Sequence, residues 1–244
     1  MNKFIKISSR FNNFSEEGVH ENRVLFRKIE TAAYITGVKK FKLKTEEYRK
    51  EFKILGKIRD LQLEIKNMEE LVNKEIGIKK FQQSLKQELE IEMEKIVKNS
   101  SWFSKSFIEE IAEAAEKIEK AQIEKALKKL GIKAVNCMEE IEGDSDKIHK
   151  ARKILKRVRY SLEIGYEKQT AEKTDVETAK EIQELLGSYI DSLNLYYRFC
   201  RYERANNSDS KLKELFKENV EKKYRNILEK RERIRSDIEK ICRL

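Results

Sequence analysis

The chain contains no proline and only 8 glycines among 244 residues. These two residues supply the fixed and the positive φ angles that tight turns require. A β-sandwich or an α/β enzyme of this length turns too often to manage with so few. What remains is a small number of long elements, and the apolar residues recur with helical spacing along almost the whole sequence. An all-α fold is expected. Charged residues make up 40% of the chain and hydrophobic residues 39%. Because Leu, Ile, Val and Phe stay periodic through this charge, the pattern is one of amphipathic helices rather than disorder.

Caps and period place the helices. Ser15 opens one that runs to about Gly37, and Thr45 opens a second that passes Leu71 and stops before Gly77. A third covers about Ile78 to Val97. "KNSSWFSKSF" breaks the pattern, and Ser104 caps a fourth helix reaching about Leu130. "GIKAVNCMEEIEG", bounded by Gly131 and Gly143, reads as a short separate element. Asp144 and Ser145 cap the next helix, which ends at Gly165. Thr174 with Glu177 forms a capping-box pattern for a helix to about Arg204. "NNSDS" is a turn, and Ser208 or Ser210 starts the terminal helix or helix pair. Only "FIKIS" near the start alternates like a strand, and it lacks a partner.

Several classes of protein fall away. Cys137, Cys200 and Cys242 lie far apart and match neither a disulfide framework nor a zinc site. They read as buried apolar thiols of a reduced, cytoplasmic protein. No apolar stretch approaches the roughly 18 residues of a membrane span, and "MNKFIKISSRF" is too short and polar for a signal peptide. No membrane partner, cofactor or metal is expected.

Lys and Arg number 54 against 44 Asp and Glu, a net charge of +10 that suits an anionic partner. Most of this charge is of mixed sign, as in "EKIEKAQIEKALKK", and belongs on solvated helix faces. Two segments differ. "KIHKARKILKRVRYSLEIG" (Lys147 to Gly165) and "GVHENRVLFRKIETAAY" (Gly18 to Tyr34) each hold one of the 2 histidines, with an arginine three residues later. At about 100° per residue, Arg152, Lys153, Lys156 and Tyr160 fall beside His149, with Arg157 and Arg159 flanking. Ile148, Ala151, Leu155, Val158 and Leu162 fall opposite. His20, Arg23, Arg27, Thr31 and Tyr34 likewise share one side of the earlier segment. Like charges one turn apart repel, and only Glu163 stands near enough to offset them. An anion bound along this face and at the adjoining helix N-terminus would relieve the repulsion and favour charged histidine.

The two segments align at an offset of 129 residues: His20 with His149, Arg23 with Arg152, Arg27 with Lys156, Lys28 with Arg157. Downstream, "ILGKIRDLQLEI" aligns with "LLGSYIDSLNLY" at 131, pairing Gly56 with Gly187 and Asp60 with Asp191. Two features in one order at nearly one offset mark an internal repeat, with halves at about 1–140 and 141–244.

These residues resemble the CHAD family, the conserved histidine α-helical domain. Its pattern is a His-x-x-Arg-x-x-x-(Lys/Arg)-(Lys/Arg)-x-Arg-Tyr helix in each repeat, followed by a Leu-Gly-x-x-x-Asp helix. His149, Arg152, Lys156, Arg157, Arg159 and Tyr160 match in the second copy, with Gln183, Leu186, Gly187 and Asp191 after them. His20, Arg23, Arg27, Lys28, Leu55, Gly56, Arg59 and Asp60 match in the first. The resemblance implies two antiparallel four-helix bundles related by a pseudo-two-fold axis, with the basic helices lining a groove or pore. It implies non-enzymatic binding of inorganic polyphosphate and association with polyphosphate granules. The residues it points to are His20, Arg23, Arg27, Lys28 and Arg59 in the first copy. In the second they are His149, Arg152, Lys153, Lys156, Arg157, Arg159 and Tyr160. The first copy departs from the pattern at Glu30, where a third basic residue is usual, and Val24 stands where the second copy has Lys153. Weaker binding is expected of that half.

Two other functions compete. A nucleic-acid binder fits the charge, but neither basic segment carries aromatic residues spaced for base stacking, and Trp102 lies in a loop far from both. A phosphohydrolase needs clustered carboxylates for a metal. Asp60 and Asp191, one per copy, read instead as partners of basic residues.

Overall fold

The computed structural model describes residues 15–71, 76–98, 105–206 and 210–244. Among these residues the chain is helical and has no strand. The helices are α1 (Glu16–Thr36), α2 (Lys39–Glu47), α3 (Arg49–Leu71), α4 (Ile76–Lys98), α5 (Lys105–Glu116), α6 (Lys120–Glu139), α7 (Ser145–Glu167), α8 (Lys173–Asn206), α9 (Ser210–Glu229) and α10 (Arg231–Cys242). The "FIKIS" segment, Ser104, Ser208 and Trp102 lie outside the described residues.

The expected caps at the starts of α1 and α7 form. The Gly18 N–H donates to Ser15 Oγ at 3.2 Å. Asp144 Oδ1 accepts from the N–H groups of Asp146 (2.9 Å) and Lys147 (3.2 Å), satisfying donors that have no partner within the helix. Elsewhere the expected boundaries move. Thr45 does not open a helix; it lies in α2, and it and Phe41, one turn earlier, are both buried. The fourth helix is two, because the chain breaks after Glu116 and buries Ile118 in the break. Glu119 then adopts an extended conformation, and its N–H donates to Gln122 Oε1 at 2.9 Å to restart the helix. The segment from Gly131 to Gly143 is no separate element, since α6 runs through Gly131 to Glu139. A Cβ at Gly131 would stand 2.5 Å from Cys242 Cβ, so the glycine serves the approach of α10 rather than a turn. The capping box expected of Thr174 shifts back, with the Glu172 N–H donating to Asp175 Oδ2 at 3.4 Å. α7 passes Gly165 by two residues before Gln169 turns it off at φ 59°.

Packing divides the chain into two compact units that interleave along the sequence. This is a division by contact, distinct from the division by repeat. The first comprises residues up to Phe26, Leu43–Ala112 and Asp191–Val220. The second comprises Arg27–Lys42, Glu113–Ile190 and Glu221–Leu244. α1, α2, α5, α8 and α9 each contribute one part to either unit.

The first unit's core joins Leu61 and Met68 of α3, Phe81 and Leu85 of α4, Leu195 and Phe199 of α8, and Leu212 and Phe216 of α9. These pairs sit at helical spacings, so each helix presents one apolar stripe. Phe199 meets Phe81 and Phe216 edge-on at 5.2 and 5.1 Å. A smaller cluster joins Val19 to Leu55, Ile58 and Ile96. Arg198 bridges Glu64 (2.6 Å) and Glu88 (2.7 Å) beside this core. Burial there pushes the Glu64 carboxyl up to about 7, against the opposing pull of Arg198.

In the second unit, α6 packs between α7 and α10. Its buried residues include Ile123, Leu127, Leu130, Ala134 and Met138, and those of α10 are Ile234, Ile238, Ile241 and Cys242. Tyr224 ties the α6–α7 connection by accepting from the Gly143 N–H (2.7 Å) and donating to the Ile141 carbonyl (3.2 Å). α7 thereby packs its apolar side against α6.

Candidate anion-binding site

The buried residues Ile148, Ala151, Leu155, Val158 and Leu162 follow one another at alternating steps of three and four. That spacing fixes the rotation of α7 and turns His149, Arg152, Lys153 and Lys156 away from the core. Arg152, Lys156, Arg157 and Arg159 are partly buried, and Lys153 is exposed. His149 is partly buried as well. Burial, then the charges of Lys153, Arg152 and Lys156, push its imidazole below the usual range, with Asp146 opposing. Near neutral pH the histidine is therefore largely uncharged, and the cations around it dominate the face.

The second half of α1 belongs to the same unit and brings first-copy residues to this helix. Glu163 takes Lys28 Nζ at 3.1 Å on one oxygen and Arg159 Nε at 3.2 Å on the other, so one carboxylate joins the two copies. The Arg157 guanidinium lies over the Tyr34 ring, 5.7 Å from its centroid. Arg159 also lies 4.5 Å above the buried Tyr160 ring. Tyr160 thus serves as a seat for Arg159. Arg27 pairs with Glu30 at 2.6 Å, and the Glu30 side chain is only 9% exposed. Among the described residues, Lys153 pairs with no carboxylate.

Nine of the twelve residues singled out from the sequence share this unit: Arg27, Lys28, His149, Arg152, Lys153, Lys156, Arg157, Arg159 and Tyr160. The other three, His20, Arg23 and Arg59, belong to the first unit. There His20 is exposed, Arg59 pairs with Glu16 at 2.7 Å, and Arg23 lies 5.0 Å from the centroid of the Phe52 ring.

Sequence reasoning missed the counter-charge Glu16, the seating of Arg157 on Tyr34 and the part played by two glycines. Gly56 lies under Arg23 and Gly187 under Arg152. The available signal was a glycine inside a helix at matching positions of both copies, where alanine is the better helix former.

Chemically, the α7 face offers arginine forks and lysine point charges on a rigid helix, with a histidine that can add a proton. That set suits charge-assisted hydrogen bonds to the oxygens of an anion. Among the described residues no helix is long and apolar enough to cross a membrane.

Comparison with known families gives one finding: the family model described as CHAD domain matches residues 11–198. No curated protein and no solved structure matches.

Proposed function

Because the chain belongs to the CHAD family, we propose that it binds inorganic polyphosphate without catalysing a reaction on it. In this reading the two repeats form paired four-helix bundles, and their His/Arg/Lys helices line one basic groove or pore. Polyphosphate is a regular line of charge with no bases. It is recognised by spaced cations and donors, without the aromatic platforms that single-stranded nucleic acids use. The observation that carries the reading is the same-sign face of α7, where Arg152, Lys153 and Lys156 surround a half-buried His149 and add to the effect of burial in holding its imidazole below the usual range. A face whose cations repel one another is stabilised by a polyanion that spans them. Association with polyphosphate granules would follow from such binding in a cell that contains them.

The test is the triple variant Arg152→Ala, Lys156→Ala, Arg159→Ala, titrated with long-chain polyphosphate at two salt concentrations. The wild type is expected to bind and to weaken steeply with salt through counterion release. The variant is expected to lose binding while keeping its helical circular-dichroism spectrum. Normal binding by a folded triple variant refutes the site. Displacement of bound polyphosphate by DNA or RNA at equal charge concentration moves the function to nucleic acid. Magnesium-dependent release of orthophosphate from polyphosphate makes the protein an enzyme.

A further inference from the structure

In both copies the first arginine of the basic motif rests on a glycine. A Cβ placed on Gly56 of α3 would stand 2.8 Å from Arg23 Nη1 and 3.8 Å from its Cζ. A Cβ placed on Gly187 of α8 would stand 3.2 Å from Arg152 Nε and 3.5 Å from Nη2. The nearest atoms at both glycines belong to the guanidinium and not to a neighbouring backbone. Each arginine therefore points an edge of its guanidinium at a stretch of helix with no side chain in the way, and the nitrogen on that side is buried: Nη1 of Arg23, Nε of Arg152. In the first copy Phe52, one turn before Gly56, supplies a ring 5.0 Å from the Arg23 Cζ. In the second copy the equivalent position holds Gln183, whose Oε1 is buried. The neighbours differ, while the glycine and the arginine against it are the same.

Neither glycine makes a turn. Both lie inside helices with no positive φ, where glycine is a poorer residue than alanine. Two matching departures from helix preference, each opposite the same motif residue, have one shared consequence. They fix the plane of an arginine fork, and such a fork binds phosphate oxygens well only when its plane is set. We propose that Gly56 and Gly187 are positioning residues of the polyphosphate site, which hold the Arg23 and Arg152 guanidinium planes for the anion. This inference rests on the polyphosphate reading and adds to it the device that orients one arginine per copy.

A double-mutant cycle tests it, with Gly187→Ala, Arg152→Ala and the pair, each titrated with long-chain polyphosphate and each melted. The methyl displaces the far end of a flexible side chain, so the alanine variant should melt at the wild-type temperature or above it. Its affinity should fall about three- to tenfold, a part of what one charge-assisted hydrogen bond contributes. In the Arg152→Ala background the same glycine substitution should leave affinity unchanged, because the group it acts through is gone. The cycle at Gly56 and Arg23 should repeat this pattern. If Arg152→Ala weakens binding while Gly187→Ala does not, the glycine inference is overturned and the polyphosphate site stands. If Gly187→Ala lowers affinity equally in the Arg152→Ala background, or lowers the melting temperature markedly, the glycine acts through packing and the inference is also overturned. If neither Arg152→Ala nor Arg23→Ala alters binding, the site itself is wrong.

Discussion

Glu30 gives the sharpest test of how the first copy takes part. It stands where a third cation is usual, and its carboxylate holds Arg27 at 2.6 Å. An anion approaching Arg27 must displace that carboxylate or bind against it. Glu30→Gln removes the charge and keeps the shape. A phosphate gripped by Arg27 would sit about 6 Å from the Glu30 carboxylate, and at an effective dielectric constant of about 40–80 their repulsion is about 0.7–1.4 kcal/mol. Removing it predicts about three- to tenfold tighter binding of long-chain polyphosphate at low salt. Releasing Arg27 adds one cation to the contact, so the slope of log affinity against log salt should steepen by about 0.7 if polyphosphate behaves like a single strand of nucleic acid. The lost pair is an i,i+3 contact whose Glu30 side chain is only 9% exposed, and glutamine keeps an oxygen that can accept from Arg27, so the variant should melt only slightly below the wild type. Anisotropy titrations of end-labelled polyphosphate at four salt concentrations measure affinity and slope together. The reasoning is refuted if both stay unchanged, and equally if affinity falls. The first result removes Arg27 from the site; the second means that Glu30 orients Arg27 instead of competing for it.

Two further predictions concern α7. Bound polyanion should raise the depressed pKa of His149, so binding takes up a proton and affinity rises as pH falls from about 7.5 to 5.5. In the unliganded protein the sign reverses. The unfolded chain, with its ordinary histidine, holds more proton than the folded chain, so this group lowers stability as pH falls through that window. His149→Gln should flatten both trends, and a wild-type affinity that does not change with pH refutes the linkage. Asp144→Ala removes the acceptor of two backbone N–H groups at the start of α7 and should cost about 1 kcal/mol. For a chain of this size that is a fall of about 2–4 °C in Tm by differential scanning calorimetry.

What the sequence made legible was what its physics keeps local. Ser15 and Asp144 announce caps because a short polar side chain directly precedes a periodic run. The two sides of α7 could be drawn because its apolar spacing and its cations lie in one stretch of 23 residues. The break between α5 and α6 could not be drawn. Lys117, Ile118 and Glu119 all tolerate a helix, and the chain leaves the helix there to bury Ile118, a decision made by tertiary packing. Gly131 looked like an end of an element because its reason, Cys242, is remote in sequence. The same holds within the site. Lys28 meets Glu163, Arg157 meets Tyr34 and Arg152 meets Gly187 only after folding. Alignment of the repeats revealed equivalent residues, and equivalence does not reveal contact. Nor could it show that compact packing would cut α1 after Phe26 and place Arg23 and Arg27, one turn apart, in different units.

The two copies carry their cations in different ways, and the difference bears on how a polyanion would load. Arg152 lies against a glycine, Arg157 over a ring, and Arg159 between a ring and a carboxylate it shares with Lys28. Arg157 over its ring and Lys153, which pairs with no carboxylate among the described residues, leave charge on α7 that an anion can take without first breaking an ion pair. Burial and the neighbouring cations of α7 both hold the His149 imidazole below its usual range, and a bound polyanion would favour its protonation. In the first copy Arg27 is held by Glu30 and Arg59 by Glu16. There an anion must exchange one ion pair for another, and the net gain is the small difference between them. A polyphosphate chain would therefore engage α7 first. Contact with Arg27, which belongs to the same unit as α7, would follow as an intramolecular step, at the high effective concentration set by phosphates already bound. On this argument Glu30 does not abolish binding at Arg27. It makes that binding depend on occupancy of α7.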